Sequence, residues 1–339
     1  MLPPEAKIAF PRDVHIKWQK CACWIVSETT ALKIDGDTAA LEKVTSALTS
    51  GTTFQSILAT FDPDWVTALM RQLLSDKLLL VEVEPDEINE RHNQTYGWLS
   101  SLTARPQRAL KRLQRAHVCV IGVGGLGGQV LEHLVGSGVT NFVLVDGDRV
   151  ERSNLNRQYQ FNMTDIGSSK VASTRSALLA KAPDLNLTII DRYIVGPGEF
   201  DVLNAYTLDL IINCADTPND IEALVADFAD RQGAAFLTGG LGLNRGYWGP
   251  LLKGQANEKL RNLKSSIQAE LSDDLRDWSG EHVCRSSHGP YNSMIAAMMA
   301  SDAIHYLTRL HRPRSADTKW VIDFQTMAVT EIALGEKQV

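Results

Sequence analysis

Residues 118–127 read Val-Cys-Val-Ile-Gly-Val-Gly-Gly-Leu-Gly, and the fold follows from them. Val118 to Ile121 are apolar and uncharged, the pattern of a strand buried on both faces of a parallel sheet. Gly122, Gly124 and Gly127 then fall at G-x-G-x-x-G spacing, with Gly125 inside the turn. From Gln129 to Val135 apolar residues recur at helical spacing. Strand, glycine turn and helix in this order predict a phosphate-binding turn. The glycines let backbone N–H groups approach a phosphate, and the helix N-terminus adds partial positive charge. Phe142 to Val145 form a second strand ending in Asp146, where an acid holds a nucleotide ribose. The expected class is α/β, with a Rossmann-like nucleotide domain.

The next stretch narrows the nucleotide. Asp146-Gly-Asp148-Arg-Val150 leads into Ser153-Asn154-Leu155-Asn156-Arg157-Gln158. Lys170 follows twelve residues later, and a strand from Leu208 to Asn213 runs into Cys214-Ala215-Asp216. This set resembles the E1-like adenylating family, which includes the ThiF and MoeB proteins and the core of ubiquitin-activating enzymes. The resemblance is contiguous from about Val118 to Asp216 and looser beyond. It implies ATP rather than NAD, and attack of a carboxylate on the α-phosphate to give an acyl-adenylate and pyrophosphate. Gly122, Gly124, Gly125, Gly127, Asp146, Asp148 and Gln158 are the ATP-binding set it implies.

The residue types suit that chemistry. Carboxylate and ATP are both anions, so cations must bring them together. Arg157 offers a planar bidentate phosphate contact and Lys170 a compact charge. Asn154 hydrogen-bonds phosphate without adding charge. Asp216, beyond a strand's C-terminal end, is the hard oxygen ligand that Mg2+ needs.

Composition sets outer bounds. A length of 339 residues predicts two or three domains, or one large domain with an appendage. Hydrophobic content of 44% and charged content of 22% are those of a soluble globular chain. No stretch reaches membrane-spanning length, and no basic segment followed by an apolar one opens the chain; a cytoplasmic location and no membrane partner are the expectation. The cysteines are Cys21, Cys23, Cys119, Cys214 and Cys284, an odd count without C-x-x-C. That predicts no disulfides and no four-thiolate zinc site, a departure from many E1-like proteins.

Upstream of the nucleotide strand the pattern changes. Residues 1–12 read as a tail with three prolines. Val14, Ile16 and Trp18 alternate, as do Cys23 and Ile25, then Leu32 and Ile34, predicting short antiparallel strands. Asp37-Thr38 caps a helix from Ala39 to about Leu48, and Thr52 or Thr53 caps a second through Phe61. Asp62-Pro63-Asp64 opens a third with Val66, Leu69, Met70, Leu73 and Leu74 on one face. Leu78 to Val83 is a closing strand. This is a winged-helix (α+β) arrangement in residues 1–85. Residues 1–90 hold eight Lys/Arg and fourteen Asp/Glu, net −6, so the basic footprint of nucleic-acid binding is missing. The segment instead resembles the PqqD-like peptide-recognition element, which implies that a leader peptide adds as a strand to the sheet edge and lies against the third helix. A purely structural or dimerisation role is the alternative.

Residues 86–116 read as an acidic linker followed by a basic helical segment with six Arg/Lys and no acid from Arg91 to Arg115. In E1-like dimers this place carries an R-Y-x-R-Q motif whose second arginine reaches the partner's ATP. Here Arg91 matches the first arginine and Gln94 stands where the second would be. Arg91, Arg105 and Arg108 are the substitutes.

Residues 117–339 form the adenylation domain. Val171 to Ala180 continues as a helix, Leu187 to Ile190 is a strand, Ala223 to Ala229 a helix, and Ala235 to Thr238 a strand ending at Gly239-Gly240. Residues 253–282 are polar, with few large apolar side chains; the crossover region near 253–290 reads equally as a lid over the site or as a surface helix pair. Cys284 is a candidate acyl acceptor; Arg285, like Arg91, is a candidate trans or substrate contact, and His288 a candidate general base or trans or substrate contact. Met294, Ile295, Met298, Met299 and Leu307 form a core stripe. Trp320 to Phe324 and Ala328 to Leu334 close the sheet.

The combined resemblance is to maturation enzymes of small ribosomal peptide antibiotics, of the pantocin and microcin types. It implies a precursor peptide as partner, ATP and Mg2+ as cofactors, no zinc, and a homodimer. In the pantocin type a glutamate side chain is activated and captured within the peptide; in the microcin type the C-terminus is adenylated. A sulfur-carrier or ubiquitin-like activating enzyme and a non-catalytic nucleotide-binding module are the other classes.

Overall fold

The computed structural model describes residues 2–19, 22–82, 90–270 (side chains to 263) and 287–333. The chain divides into two compact units, Met1–Arg112 and Leu113–Val339.

Unit 1 holds two small sheets and a set of short helices. In chain order come β1 (Lys7–Ala9), β2 (His15–Gln19), β3 (Ala22–Val26), β4 (Ala31–Asp35), α1 (Thr38–Ser50), β5 (Thr52–Thr53), α2 (Phe54–Leu58), α3 (Pro63–Ser75), β6 (Leu80–Val81) and α4 (Asn93–Leu102). One sheet has the order β5-β1-β6, the other β2-β3-β4. Three helix starts are set locally. Asp37 accepts from Ala39 N, Thr53 from Ser56 N and Asp62 from Trp65 N, each cap contributing about 1 kcal/mol. Ile8, Ile25, Leu41, Leu48, Val66 and Leu73 are buried in one cluster.

The strand, three-helix, strand order stands as read, with differences of detail: the closing strand is β6, Leu80–Val81, without Leu78 and Leu79, and Thr52–Thr53, read as a cap, also pairs as β5. The proline-bearing start is not a tail throughout, because Lys7–Ala9 pairs with both β5 and β6. The second helix stops at Leu58 rather than Phe61. Most of the acidic linker lies outside the described residues.

Helix α5 (Pro106–Arg115) leads into unit 2. There the strands are β7 (His117–Ile121), β8 (Asn141–Val145), β9 (Asn186–Ile190), β10 (Leu210–Asn213), β11 (Ala235–Leu241), β12 (Arg245–Lys253), β13 (Thr318–Asp323) and β14 (Val329–Ala333). The helices are α6 (Gly125–Gly136), α7 (Lys170–Lys181), α8 (Ile221–Gln232), α9 (Ala256–Glu270) and α10 (Gly289–Thr308). The sheet order is β14-β13-β12-β11-β10-β7-β8-β9. From β9 to β11 all neighbours are parallel; β12, β13 and β14 add antiparallel.

Alternation along β7 explains its continuous apolar run. Val118 and Val120 face one cluster with α6 and α10, while Cys119 and Ile121 face the other with α8 and α9. Successive strand side chains point to opposite faces, so a strand covered on both must be apolar at every position. From β7 the chain runs outward to β8 and β9, then returns to β10 on β7's other side. The crevice beyond the C-terminal ends of β7 and β10 is thus the topological switch point, where open α/β sheets bind ligands.

Three readings are corrected. Strand β11 runs through Gly239-Gly240 to Leu241 and pairs with β12, a strand missed in the sequence. The polar stretch opens as a packed helix, with Ala256, Leu260 and Leu263 buried; residues 271–286, the later part of the lid reading, lie outside the described residues. In the methionine stripe Met299 is core, but Met298 is 45% exposed. Among the described residues, no helix is long and apolar enough to cross a membrane.

Candidate active site

The glycine turn is built by close approach. Gly122 has φ +84° and a Cβ there would stand 2.7 Å from Ala215 N. A Cβ on Gly127 would collide with the Gly122 carbonyl. Only glycine fits either place. The turn therefore lies directly against the loop that carries Asp216. Gly124 is the residue before α6, and that helix's N-terminus opens toward the switch point.

Asp146 braces this turn. Its Oδ2 accepts from Val123 N at 2.8 Å and its Oδ1 from Asp148 N at 2.8 Å. Burial pushes its carboxyl above the usual value, against the Lys170 charge and these two backbone bonds. Asp148 makes the ion pair of the site: Lys170 Nζ lies 2.6 Å from its Oδ2, and Tyr193 OH donates to its Oδ1 at 2.7 Å. Lys170 is the first residue of α7, and its own N–H donates to the Asp148 carbonyl. The sequence-read ribose acid thus ties β8 to the turn, and the sequence-read phosphate lysine is held by Asp148.

The Ser153–Gln158 segment supplies the second cation. Asn154 is buried, and its Oδ1 accepts from Glu151 N at 2.9 Å, closing a reciprocal cap on a short 3-10 turn. It shapes the segment that presents Arg157. The Arg157 Nη1 donates to Ser153 O and Asn156 Oδ1, both at 2.9 Å. A Cβ on Gly125 would lie 3.4 Å from Arg157 Cγ, so this arginine stands beside the start of α6. Gln158 is 3% exposed, and its buried Oε1 has no hydrogen-bond partner. A glycine cradle and two cations fit a polyphosphate nucleotide.

Asp216 is exposed and directly follows Ala215, the turn's contact, and Thr217 Oγ1 donates to its Oδ1 at 3.3 Å. Among the described residues no three His, Cys, Asp or Glu side chains converge as a metal cage. One carboxylate beside a phosphate site is nonetheless how Mg2+ is commonly held, with substrate phosphates and water completing its shell.

Several contributors were not visible in the sequence. Gln160 Nε2 donates to Val123 O at 2.8 Å, bracing the turn from below. Gln129 Nε2 bridges Gly125 O and Arg157 O. Asn292 on α10 lies against Gly125 and donates to Ser287 Oγ at 2.8 Å. Buried glutamines among apolar residues were the available signal for the first two. His288 precedes α10, and its ring meets Tyr291 edge-on at 4.9 Å. Arg91 belongs to unit 1, where its Nε donates to His92 Nε2. Arg285 and Cys284 lie outside the described residues. Cys23, Cys119 and Cys214 are free thiols. Burial pushes all three up, Cys119 to about 12, so none is primed as a nucleophile.

A glycine turn at the switch point, two cations and an acid beyond β10 define a Rossmann-like nucleotide-binding protein of the E1-like type. The chain belongs to the ThiF family, whose model matches residues 99–339. It is 35% identical over 132 residues to the adenylyltransferase and sulfurtransferase UBA4 of Candida glabrata, a match covering 39% of this chain and 30% of that protein. The chain thus spans about a third of that relative's length. Among solved structures, Escherichia coli MccB with ATP aligns with a TM-score of 0.74 at 19% identity, over 98% of both chains. PaaA aligns with a TM-score of 0.69 at 19% identity, over 96% of this chain and 99% of its own.

Proposed function

We propose that this protein activates a carboxylate of a ribosomally made precursor peptide by ATP-dependent adenylation. The observation that carries the reading is the joining of the Gly122–Gly127 turn, Arg157 and the Lys170–Asp148 pair at one end of the sheet. The fold likeness to MccB, described as a microcin C7 biosynthetic enzyme, and to PaaA runs through unit 1 as well as unit 2. This supports unit 1 as the peptide-binding part, with 1–85 as the recognition element and 117–339 as the adenylation domain.

In the reaction, a carboxylate oxygen forms a bond to the α-phosphorus and the bond to the β-phosphate bridging oxygen breaks. Pyrophosphate leaves, and the acyl group remains on AMP. The α6 N-terminus and its N–H groups face the phosphates, and Arg157 and Lys170 offset the charge of two anions brought together. To reach phosphate, Lys170 shares or leaves Asp148. Asp216 would hold Mg2+, which when bound neutralises phosphate charge. The acyl group is then captured inside the peptide with loss of AMP, a dehydrative closure of the pantocin type, most simply through a glutamate side chain. The protein acts in the cytoplasm as a homodimer.

A second reading has its own support. The similarity to a protein described as an adenylyltransferase and sulfurtransferase favours activation of a sulfur-carrier or ubiquitin-like C-terminus. The test is to supply ATP, Mg2+ and each substrate class, then measure pyrophosphate and product mass. A peptide lighter by one water supports cyclisation, and an AMP-bearing peptide supports microcin-type C-terminal adenylation. Pyrophosphate only with a carrier protein supports the second reading. Tight NAD binding without ATP binding would sink all three.

A further inference from the structure

The C-terminal ends of β10 and β11 carry a buried polar chain outside the motifs that define the nucleotide site. Asn213, the last residue of β10, donates from Nδ2 to the Ala215 carbonyl at 3.3 Å and toward Thr238 Oγ1 at 3.4 Å. Thr238 passes its own proton to Glu222 Oε1 at 3.1 Å. Tyr247 OH donates to the same oxygen at 2.8 Å. A hydroxyl has one proton, so Thr238, having given its proton to Glu222, can only accept from Asn213. The carboxylate therefore sets the direction of the whole chain. Asn213 and Thr238 are fully buried. Burial and the nearby Glu222 push the Tyr247 phenol well above its usual value, which keeps it a donor.

Two features give this chain a purpose beyond packing. One end is the Ala215 peptide, next to Asp216 and in contact with Gly122. The other joins α8 and β12 to that peptide through Thr238, which the β11–β12 pairing passes over: the register shifts between Leu237 and Gly239. Alternation along β11 sets Thr238 on the same face as Phe236, toward α8, and this brings it to Glu222.

We propose that Glu222 is a positioning residue: through Thr238 and Asn213 it fixes the Ala215–Asp216 peptide and so aims the Asp216 carboxylate. The inference rests on the reading of Asp216 as metal ligand. The test measures Mn2+ binding to the ATP-loaded full-length protein by electron paramagnetic resonance, beside metal-free ATP binding by calorimetry. Thr238→Val and Glu222→Ala should weaken Mn2+ binding about tenfold, the low end for groups that orient a metal ligand. Metal-free ATP binding should not change, and Thr238→Ser should restore Mn2+ binding. If Thr238→Val does not fold, Tyr247→Phe removes one donor to Glu222 and should shift Mn2+ binding in the same direction. Folded variants that bind Mn2+ like the parent overturn the role. Asp216→Ala in the same assay separates the two ideas. If it binds Mn2+ as tightly as the parent, the reading of Asp216 has failed; if it binds more weakly and Thr238→Val binds normally, only the positioning role has failed.

Discussion

Lys170 Nζ stands 2.6 Å from Asp148 Oδ2, with the lysine side chain 9% exposed and the aspartate 47%. The pair is thus buried on one side only. Burial alone would raise the Asp148 carboxyl, but the hydrogen bonds from Lys170 and Tyr193 and the Lys170 charge outweigh it, leaving a net depression. A depressed acid contributes stability above its unfolded value, and that contribution is lost as pH falls through the lower folded value. Asp146, raised by burial, has the opposite sign: its contribution is present at low pH and lost as pH rises through its folded value.

Asp148→Asn should therefore be less stable than the parent at neutral pH, by about 1 kcal/mol for a half-exposed pair. The gap should begin to close as pH falls through about 4, where the unfolded carboxyl protonates, and vanish only once pH has passed the lower folded value. Urea unfolding across a pH series reads this directly. Asp146 is coupled to the pair: losing the Asp148 charge removes one of the influences that raise its carboxyl, so a parallel series on Asp146→Asn separates the two contributions. A gap that does not change with pH would mean that the pair is not its source.

Arg157→Ala should lower ATP–pyrophosphate exchange about 100-fold, the scale for loss of one stabilising donor at a reacting group. Arg157→Lys should recover only part, because charge returns without the planar fork. Exchange at the parental rate in both variants would move phosphate binding away from this arginine.

Gly127→Ala and Gly136→Ala, both in α6, should part company. The added methyl collides with the Gly122 carbonyl at 127 and meets nothing within 4 Å at 136. The first should lose nucleotide binding by calorimetry. The second should bind normally and gain up to about 1 kcal/mol from helix propensity.

A leader peptide added separately should compete with full-length precursor and raise its apparent KM, leaving ATP binding unaltered. Tethering makes the core peptide's encounter with the site intramolecular, and free leader removes that advantage. Absence of competition at saturating leader would remove unit 1 from substrate selection.

Sedimentation equilibrium should give a dimer at micromolar concentration. A monomer throughout would leave Arg91, Arg105 and Arg108 without a partner's site to reach.

What the sequence determined by itself was the nucleotide core. Val118–Ile121, the glycine spacing and Asp146 are local in the chain, and local geometry is enough to make a strand, a turn and a helix start. Charge chemistry in the same way marked Arg157, Lys170 and Asp216. Only the tertiary structure decided what each of these side chains touches. It assigned Asp146 to brace the turn and Lys170 to Asp148, because those contacts join segments well separated in the chain. It also paired Lys7–Ala9 with two distant segments and ran β11 through Gly239-Gly240 to pair with β12. The Asn213, Thr238, Glu222 and Tyr247 chain belongs to the same group: four polar residues without a shared motif become one network only when β10, α8, β11 and β12 are packed together.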